Sequence, residues 1–600
     1  MSSEHIGAKR VYILGTIKVN APLHIGSGEA VSHNDQDTDS PVKLNTDDKP
    51  YLPATAIGGL LRGMAENIVT ALDGWSIEDV WNLFGEAPDK KSEYKKFHPS
   101  RLHIRHGKIK TDFDPDNIDI RDGIGIDRQR ASARENALYN YEIVPPNQEF
   151  SLYIELRSDD PKDKELLILT LESIIQLPKG IGAKSSKGLG LLQLNIEKVV
   201  EINLTNKQNL FDFLSQIQQF DPNSDSIKGD SWEYWKKCNP VGGITLKDTK
   251  LPVCIPQAVT FTYRFKLEDP LLIKGQDSPE GALEDYGYRK KLDFDDQTKG
   301  IDSSWINLRK DPNDPSKCEP IVPGSSLRGV FRSHCERILR TLSWEYAKTR
   351  EEYEKRVSAS DPLERNGYLR SSGFQMQNKV KDLWNKRREG EEAQKRYDAG
   401  REIAERIYTN SDLGEQMWGS SQWASRVTVS EGYLSKTDFD EMIFQNVGIN
   451  RFTGGASDQR LFNALALTDA VFEGKITVFG DEKWMLGLIA LLFKDLHDSY
   501  VRIGSGKTRG RGKIEAWLTN VEVKAIQNSS IAESLKGENP DNQIWQVFCK
   551  SISQEKLTNF LGDNSEWLEK LLSEGVQELQ DNVKGYIRYE CKETAKGEVA

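Results

Sequence analysis

The sequence predicts an α+β protein in which one folding unit occurs twice in tandem, and two repeated patterns carry this prediction. The first is an apolar strand end followed by a proline and an apolar-faced helix, at 51–72 and again at 321–342. The second is an apolar helix followed by a loop of glycines and basic residues and then a strand, at 166–200 and 484–523. Because both patterns recur in the same order, we interpret the chain as two copies of one domain.

The other elements of each copy support the same arrangement. The helix after Pro53 or Pro323 has apolar residues at the three-and-four spacing of a core-facing helix. Strands are predicted at the start of each copy, before its second helix and after its glycine loop: 11–19, 149–156 and 191–200, then 259–267, 471–480 and 513–523. Four strands and two helices in βαββαβ order are typical of a ferredoxin-like (RRM-like) unit.

Composition shifts along the chain predict the domain boundaries. The first domain is placed at 1–202 and the second at 256–525, joined by a turn-rich linker with some helix at 203–255. The second domain contains 343–413, which is dense in charged residues and has little continuous apolar face, so we interpret it as a solvated helical insertion. Residues 526–600 are predicted to form a helical C-terminal extension, with helices at 544–561 and 567–579.

Composition also excludes several classes of protein. Apolar residues make up 37% of the 600 residues, which is typical of a globular chain. The longest apolar run, Trp484–Phe493, is shorter than the roughly 20 residues that cross a bilayer, so no membrane partner is expected. The six cysteines include no Cys-x-x-Cys pair, which argues against a disulfide framework and a zinc site. Together with the lack of an export signal at the start of the sequence, this predicts a cytoplasmic protein.

The net charge of −11 does not exclude RNA as a partner, because local patches of charge matter more than the total. The window 502–513 contains five basic residues and no acidic one, and 121–134 contains four arginines. The glycine loops at 179–190 and 502–513 would allow close backbone approach to phosphates while their Lys and Arg side chains bind them. A solvated surface turn is the alternative for each loop. Lys507-Thr508 is not a Walker A motif, because the Gly-x-x-x-x-Gly before it is missing.

Two of these segments resemble signatures of the RAMP superfamily of CRISPR-associated proteins: Pro323–Gly329 and the loop Gly504–Gly512. The resemblance covers about 1–202 and 256–525, and the first half departs from the helix-start signature at 53–56. Within the family the chain resembles backbone subunits of type III effector complexes, and its two units resemble the fused subunits of the III-D branch. Such subunits assemble with other effector subunits along a guide RNA (crRNA) and cut the paired single-stranded target RNA.

The resemblance implies a target-cutting aspartate in the loop after the first strand of each unit. The matching residues are Asp39 and Asp302. The second loop is longer, so three other aspartates compete with Asp302: Asp293, Asp295 and Asp296. A carboxylate there would hold a divalent cation, Mg²⁺, at the scissile phosphate, and no further metal ligand is assigned. For Asp39 before Ser40-Pro41, the alternative is a turn in which the side chain only bonds the backbone.

Basic residues in the repeated motifs are the candidates for RNA binding. They are Arg62, Arg128, Arg130, Lys184, Lys187, Arg328, Arg332, Lys507, Arg509 and Arg511. For the arginines of the two helix starts the alternative is local capping or pairing. Arg128, Arg130 and Arg134 open the region where this family inserts a thumb-like hairpin, and a solvated face is the alternative there.

Four readings of the function remain open at this point. The leading one is a backbone subunit that binds crRNA and cleaves target RNA at two sites, as a metal-dependent endoribonuclease within a multi-subunit complex. The others are a non-catalytic crRNA-binding scaffold, a precursor-crRNA processing endoribonuclease and a protein that only mediates interactions. A processing enzyme commonly uses a histidine base. His24 and His33 flank the first loop, but the second half has no histidine in its corresponding loop, so histidine catalysis ranks lower.

Overall fold

The computed structural model of the protein describes sixteen segments of the chain. They are residues 9–28, 39–85, 99–127, 132–207, 209–211, 228–247, 251, 254–273, 301–304, 308–310, 318–349, 393–420, 423–435, 439–535, 545–552 and 567–585. Within them the chain forms two consecutive units, each built on an antiparallel sheet that packs against helices.

The first unit is built around one long central strand. Its strands are β1 (Lys9–Val19), β2 (Tyr51–Leu52), β3 (Leu102–Ile104), β4 (Gly107–Lys108), β5 (Asp119–Asp127), β6 (Ser132–Ile143), β7 (Gln148–Arg157) and β8 (Leu192–Asn203). The main sheet has the order β3-β7-β1-β8, with antiparallel neighbours throughout. The strands β2 and β4 form a short antiparallel pair, and β5 and β6 form a separate hairpin.

The helices of the first unit bury their apolar faces in the core that they form with this sheet. They are α1 (Ala54–Ala71), α2 (Ile77–Phe84), α3 (Pro161–Gln176) and α4 (Trp232–Cys238). The helix α1 begins directly after Pro53, and its residues Ile57, Leu61 and Ile68 are buried. Each such side chain contributes about 1.5–3 kcal/mol when it leaves water. Asp160 caps α3 by accepting a hydrogen bond from the Lys162 N–H, which satisfies one of the free donors of the first turn.

The second unit repeats this plan in a larger sheet. Its strands are β9 (Ala258–Leu267), β10 (Ile301–Ser304), β11 (Leu308–Lys310), β12 (Cys318–Val322), β13 (Val427–Val429), β14 (Gly432–Leu434), β15 (Asp440–Ile449), β16 (Ala456–Thr468), β17 (Val471–Phe479), β18 (Ile514–Ile526) and β19 (Trp545–Ser551). The order is β11-β12-β14-β17-β9-β18-β19, with β13 also paired to β17. The strand β9 lies between β17 and β18 as β1 lies between β7 and β8. The pair β2–β4 recurs as β12–β14, and the hairpin β5–β6 as β15–β16.

The helices of the second unit are longer. They are α5 (Gly324–Tyr346), α6 (Ala393–Asn410), α7 (Leu413–Trp418), α8 (Lys483–His497), α9 (Ser530–Ser534) and α10 (Trp567–Gly585). The helix α5 begins directly after Pro323, as α1 does after Pro53. The helices α8 and α10 cross closely at two glycines, since a Cβ on Gly487 would lie 2.3 Å from the carbonyl carbon of Gly575.

The structure corrects the expectation of a purely helical C-terminal extension. Residues 545–551, predicted as part of a helix, form the strand β19 along the outer edge of β18. The edge of β18 offers unpaired backbone groups, and Trp545, Val547 and Phe548 are aromatic or β-branched residues, which favour a strand that satisfies those groups. The helix predicted at 567–579 is present as α10.

The described part of the predicted insertion 343–413 is helical and partly buried. The helix α5 extends through its first residues, and α6 packs by Ile403, Ile407 and Tyr408. The Tyr397 hydroxyl lies 2.9 Å from the Thr70 hydroxyl of α1, so α6 contacts both units. Its residues 350–392 lie outside the described residues.

We predict that Gly487→Ala lowers the stability of the second unit by about 1–3 kcal/mol, because the added methyl group forces α8 and α10 apart. Thermal unfolding and hydrogen exchange of α10 would measure the loss. The matched control is Gly329→Ala in α5, where a Cβ meets nothing within 4 Å and alanine favours the helix by up to about 1 kcal/mol. Equal effects of the two substitutions would contradict the role of the glycine crossing.

Candidate nucleic-acid interface

The two glycine loops have the same backbone course and are attached at the same place. The Gly190 N–H donates to the carbonyl of Pro22 (2.7 Å), and the Gly512 N–H donates to the carbonyl of Pro270 (3.0 Å). Both prolines lie just after the opening strand of their unit. A Cβ on Gly190 would lie 1.9 Å from the carbonyl oxygen within its own loop, and one on Gly512 would lie 1.8 Å from the equivalent oxygen. Glycine is therefore obligatory at both positions.

A second backbone bond ties each loop to the chain that follows this proline. The Ala183 N–H donates to the carbonyl of His24 (2.9 Å), and the Ser505 N–H donates to the carbonyl of Leu272 (2.7 Å). Between these bonds and the final glycine, each loop makes one short 3₁₀ turn, Ser185–Lys187 or Lys507–Arg509. The repeat inferred from sequence therefore extends to individual hydrogen bonds.

Basic side chains of the loops lie on aromatic rings of the adjacent hairpins. The Lys184 Nζ is 4.1 Å from the centre of the Tyr141 ring, and the Lys187 Nζ donates to the Tyr139 hydroxyl (2.8 Å). The guanidinium of Arg511 lies 4.6 Å from the centre of the Phe444 ring. Cation–π contacts of this kind contribute about 0.5–2 kcal/mol each and leave the positive charge in place. Burial lowers the pKa of Lys184, and the positive charge of Lys187 adds to the shift.

Asp39 is exposed and fixed along β6 by hydrogen bonds to Asn140. The Asn140 Oδ1 accepts from the Asp39 N–H (2.8 Å), and the Asp39 Oδ2 accepts from the Asn140 N–H (3.0 Å). The Glu142 N–H donates to the carbonyl of Ser40 (3.1 Å). These bonds hold the exposed Asp39 side chain against β6, and its backbone partner is the distant Asn140 and not a neighbouring residue of the predicted turn.

His24 joins the Asp39 segment to the first glycine loop. Its ring is buried, with Nδ1 2.7 Å from the carbonyl oxygen of Glu142 and Nε2 3.1 Å from the Ser40 Oγ. Because a carbonyl only accepts, the first contact assigns the proton of the neutral ring to Nδ1. Burial lowers the pKa of His24 below 6.5; the hydrogen bond to Glu142 opposes this shift and the charge of Lys184 adds to it. With both ring nitrogens occupied, His24 acts on the position of Ser40 and so of Asp39.

The backbone of Asp302 occupies the equivalent place in the second unit. Val144, just after β6, pairs with Leu23, which follows Pro22, and Leu467 of β16 pairs with Leu271, which follows Pro270. Four residues before Val144 and Leu467 lie Asn140 and Asn463, which therefore correspond. The strand β10, which contains Asp302, pairs in parallel with β16 from Asn463 onward. The structure describes the backbone of β10 and not its side chains.

The two sites differ in what supports them. Leu272 occupies the position of His24, and by the same register Leu465 occupies the position of Glu142. The side-chain contacts of His24 with the Ser40 hydroxyl and of Glu142 with the Val42 N–H therefore have no equivalent from these two positions in the second unit.

The arginines of the helix starts have local partners. The Arg62 Nε lies 3.0 Å from Glu66, and the Arg332 Nε lies 2.8 Å from Glu336, one turn further along each helix. The Arg328 Nη2 donates to the Trp418 carbonyl (2.5 Å) at the end of α7. These contacts are the local pairing that the sequence left open, and binding of RNA by these three arginines remains a prediction.

Several candidates lie outside the described residues. They are Arg128, Arg130, His33 and the alternative aspartates Asp293, Asp295 and Asp296. Sequence reasoning missed Asn140 and the tyrosines 139 and 141, which contact the loops or Asp39 from β6. The alternation of Tyr139 and Tyr141 was a visible strand signal, whereas the partnership of Asn140 with a residue about one hundred positions away was not.

Comparison with known proteins fits the repeat. The two glycine loops and their matched strands define a protein of two related units, and a family model described as the RAMP superfamily matches residues 16–193 and 264–515, which together form well over half of the chain. The chain belongs to the RAMP superfamily, whose members are CRISPR-associated RNA-binding proteins. No curated protein matches the sequence. In the described part of the chain, no helix is both long and apolar enough to cross a membrane.

We predict that His24→Leu, which copies Leu272, makes stability less sensitive to acid. The folded state disfavours protonated His24, so wild type loses stability as pH falls below 6.5, where the unfolded chain binds the proton more readily. The free energy of unfolding is measured in urea for both proteins at pH 7.5 and at pH 5.5. Its decrease from pH 7.5 to pH 5.5 should be larger for wild type than for the variant. The same pH dependence in both proteins would contradict a buried neutral His24.

Proposed function

We propose that the protein is a double-unit backbone subunit of a type III CRISPR effector complex, resembling the III-D branch, that binds crRNA and cleaves target RNA once per unit. The observation that carries this proposal is the equivalent backbone placement of Asp39 and Asp302. Each lies against the second strand of a hairpin, in a unit whose basic loop is attached at the same place. A repeated chemical function would require such a repeated arrangement.

We also infer that each unit is a ferredoxin-like domain. The central β1 and β9 lie between the strands before and after the second helix of their unit, with all these neighbours antiparallel. The helices α1 and α3 pack on the first sheet, and α5 and α8 contribute to the second core. A sheet of this kind presents loops at one end, where the Asp39 segment and the glycine loop of the first unit meet.

The residues around Asp39 fit a magnesium ion bound jointly with RNA. Mg²⁺ usually keeps several waters and takes one or two carboxylates together with substrate phosphates. Within the described residues no cluster of three or more His, Cys, Asp or Glu side chains forms a metal site, so a single carboxylate at Asp39 suits this shared mode. When bound, the ion would supply positive charge at the scissile phosphate.

The chain's own residues would position the reacting groups. Asn140 holds the Asp39 carboxylate in one orientation, and His24 supports that segment through Ser40. Lys184 and Lys187, half-buried on tyrosine rings, would bind backbone phosphates of the RNA. The ribose 2′-hydroxyl next to the scissile bond would then be the nucleophile, so no protein nucleophile is needed.

The second candidate function is a non-catalytic crRNA-binding scaffold. The observation that favours it is the hydrogen bond from the Asn140 N–H to Asp39, which gives this carboxylate a structural role of its own. A histidine-dependent processing enzyme is less favoured, because His24 is buried with both ring nitrogens in contact with protein atoms.

We predict that Asp39→Ala removes one cut in the target RNA and leaves another, and that Asp302→Ala does the reverse. Each variant removes one carboxylate and adds no bulk, so folding and assembly should be retained. The readout is a time course on end-labelled target RNA with purified complexes in Mg²⁺ and in EDTA, and cleavage should stop in EDTA.

Asp47→Asn is the matched control for these variants, since Asp47 is an exposed carboxylate on the neighbouring turn. It should leave both cuts unchanged. If Asp39→Ala leaves every fragment in place, the first site is not at Asp39. If each single variant removes both cuts, the aspartates support a shared structure and the two-site proposal fails.

The exposed basic loop of the second unit gives a separate prediction about binding. Lys507→Ala with Arg509→Ala should weaken RNA binding for unrelated sequences alike, because these side chains would contact phosphates and not bases. The slope of log K against log salt should fall by roughly 0.7 for each lost phosphate contact. Lys494→Ala with Lys570→Ala, which removes the same charge from α8 and α10, should leave that slope unchanged. A loss of affinity that is selective for sequence would contradict phosphate binding.

A further inference from the structure

The first glycine loop forms part of the joint between the two units. Its turn Ser185–Lys187 contacts β13 and the start of α5. A Cβ on Gly188 would lie 2.6 Å from the Val429 carbonyl oxygen, and one on Gly324 would lie 2.4 Å from the Lys187 carbonyl oxygen. Two glycines, one in each unit, therefore allow the loop to lie directly against the helix start.

A buried ion pair lies beside this contact. Arg121 of β5 pairs with Glu431, which lies between β13 and β14, and both side chains are buried. The Tyr433 hydroxyl also donates to Glu431 (3.2 Å). The second unit receives the loop with the glycine at its helix start, the Val429 carbonyl and the Glu431 carboxylate. The first unit inserts its glycine loop and supplies the Arg121 guanidinium.

The glycine loop of the second unit has the same features as the loop that the first unit inserts, but its turn is exposed. Its turn Lys507–Arg509 is flanked by left-handed residues, as Ser185–Lys187 is, and Gly510 corresponds to Gly188. Lys507–Gly510 are exposed, whereas Ser185–Lys187 are half-buried and Gly188 is buried.

A guanidinium also recurs at the place of Arg121. Arg121 pairs with Tyr141 in the first hairpin, and Phe444 pairs with Ala464, the equivalent of Tyr141, in the second. Phe444 therefore occupies the position of Arg121, and the Arg511 guanidinium lies over the Phe444 ring. Burial lowers the pKa of Arg511, and the charge of Arg509 adds to the shift, so a carboxylate brought close would stabilise the charged form.

The first unit lacks the receiving features at the equivalent face. Gly107 pairs with the residue just before Pro53, and Gly432 pairs with the residue just before Pro323. Gly107 and Gly432 therefore correspond. The residues before them then match as His106 with Glu431 and Arg105 with Ser430. The helix start there carries Ala54 in place of Gly324, and the Ala54 N–H already donates to the His106 Nδ1 (2.9 Å). A loop approaching as in the internal joint would meet the Ala54 methyl group and the exposed Arg105 and His106, the latter at the position where the second unit has the Glu431 carboxylate.

We propose that the loop at 505–510 is a docking surface for a unit of the same family on a different chain, and that the first unit accepts no such loop. The partner unit would have glycine after the proline of its first helix start and a carboxylate at the position of Glu431. A second copy of this chain does not fit, so the chain adds one partner at one end and does not polymerise. This proposal rests on the proposed role within a multi-subunit complex and specifies the partner at one surface.

The test transfers the receiving face of the second unit onto the first unit of the full chain. The variant carries Ala54→Gly, Arg105→Ser and His106→Glu, and sedimentation velocity is measured on nuclease-treated protein over a range of concentrations. Wild type should remain a monomer. The variant should self-associate, with a dissociation constant at least tenfold lower than that of wild type, and Ala54→Gly alone should give a weaker form of the same effect.

Adding Thr508→Trp to the grafted variant provides the control, because the bulky side chain on the exposed turn should restore the monomer. The proposal is overturned if the grafted variant, with a wild-type circular dichroism spectrum, stays monomeric, or if wild type associates equally well. Association that disappears after nuclease treatment would show bridging by RNA and would also overturn it. If the graft and Ala54→Gly alone both fail to fold, the first unit cannot accept the glycine start, and the proposed block at Ala54 is wrong. None of these outcomes depends on cleavage, so this proposal and the catalytic one fail separately.

Discussion

The close approach of backbone to backbone at glycine determines how both units are built. Gly190 and Gly512 let each basic loop fold onto the chain that follows the opening strand, where any Cβ would overlap a carbonyl oxygen. That attachment places the loop next to His24 in the first unit, and through Ser40 next to Asp39. The same kind of contact, at Gly188 and Gly324, brings the first unit onto the second. The local geometry of the proposed site and the joint between units therefore rest on one physical constraint.

Much of this architecture could be predicted from sequence, because prolines, glycines and helical periodicity are local signals. The helix starts after Pro53 and Pro323 and the two loops lie where those signals indicated. The sequence predicts a helix where β19 lies, because a short apolar run does not distinguish a helix from a strand without knowledge of the sheet edge that it covers. The ion pairs of Arg62 and Arg332 with a glutamate one helical turn on were visible in sequence and could have tempered their assignment to RNA.

The parts of the site that sequence could not supply are contacts between distant residues. Asn140 bonds Asp39 across about one hundred residues, and Arg121 meets Glu431 across more than three hundred. The comparison of the two units also shows that a repeated backbone need not carry repeated chemistry. Leu272 replaces His24, and Ala54 stands where the second unit has Gly324. Related units have thus acquired different neighbours, and each difference alters a contact, not the course of the chain.

The buried pair of Arg121 and Glu431 has a consequence for the order of events during synthesis. The strands of the first sheet are complete once residue 203 has emerged from the ribosome, but the carboxylate that forms the buried ion pair with Arg121 lies at residue 431. At typical elongation rates this interval is about 10 to 50 s. Throughout that time the nascent first unit has an arginine on its hairpin without its Glu431 partner and an undocked basic loop. Translation therefore creates a time window in which this basic surface is formed but not yet covered by the second unit.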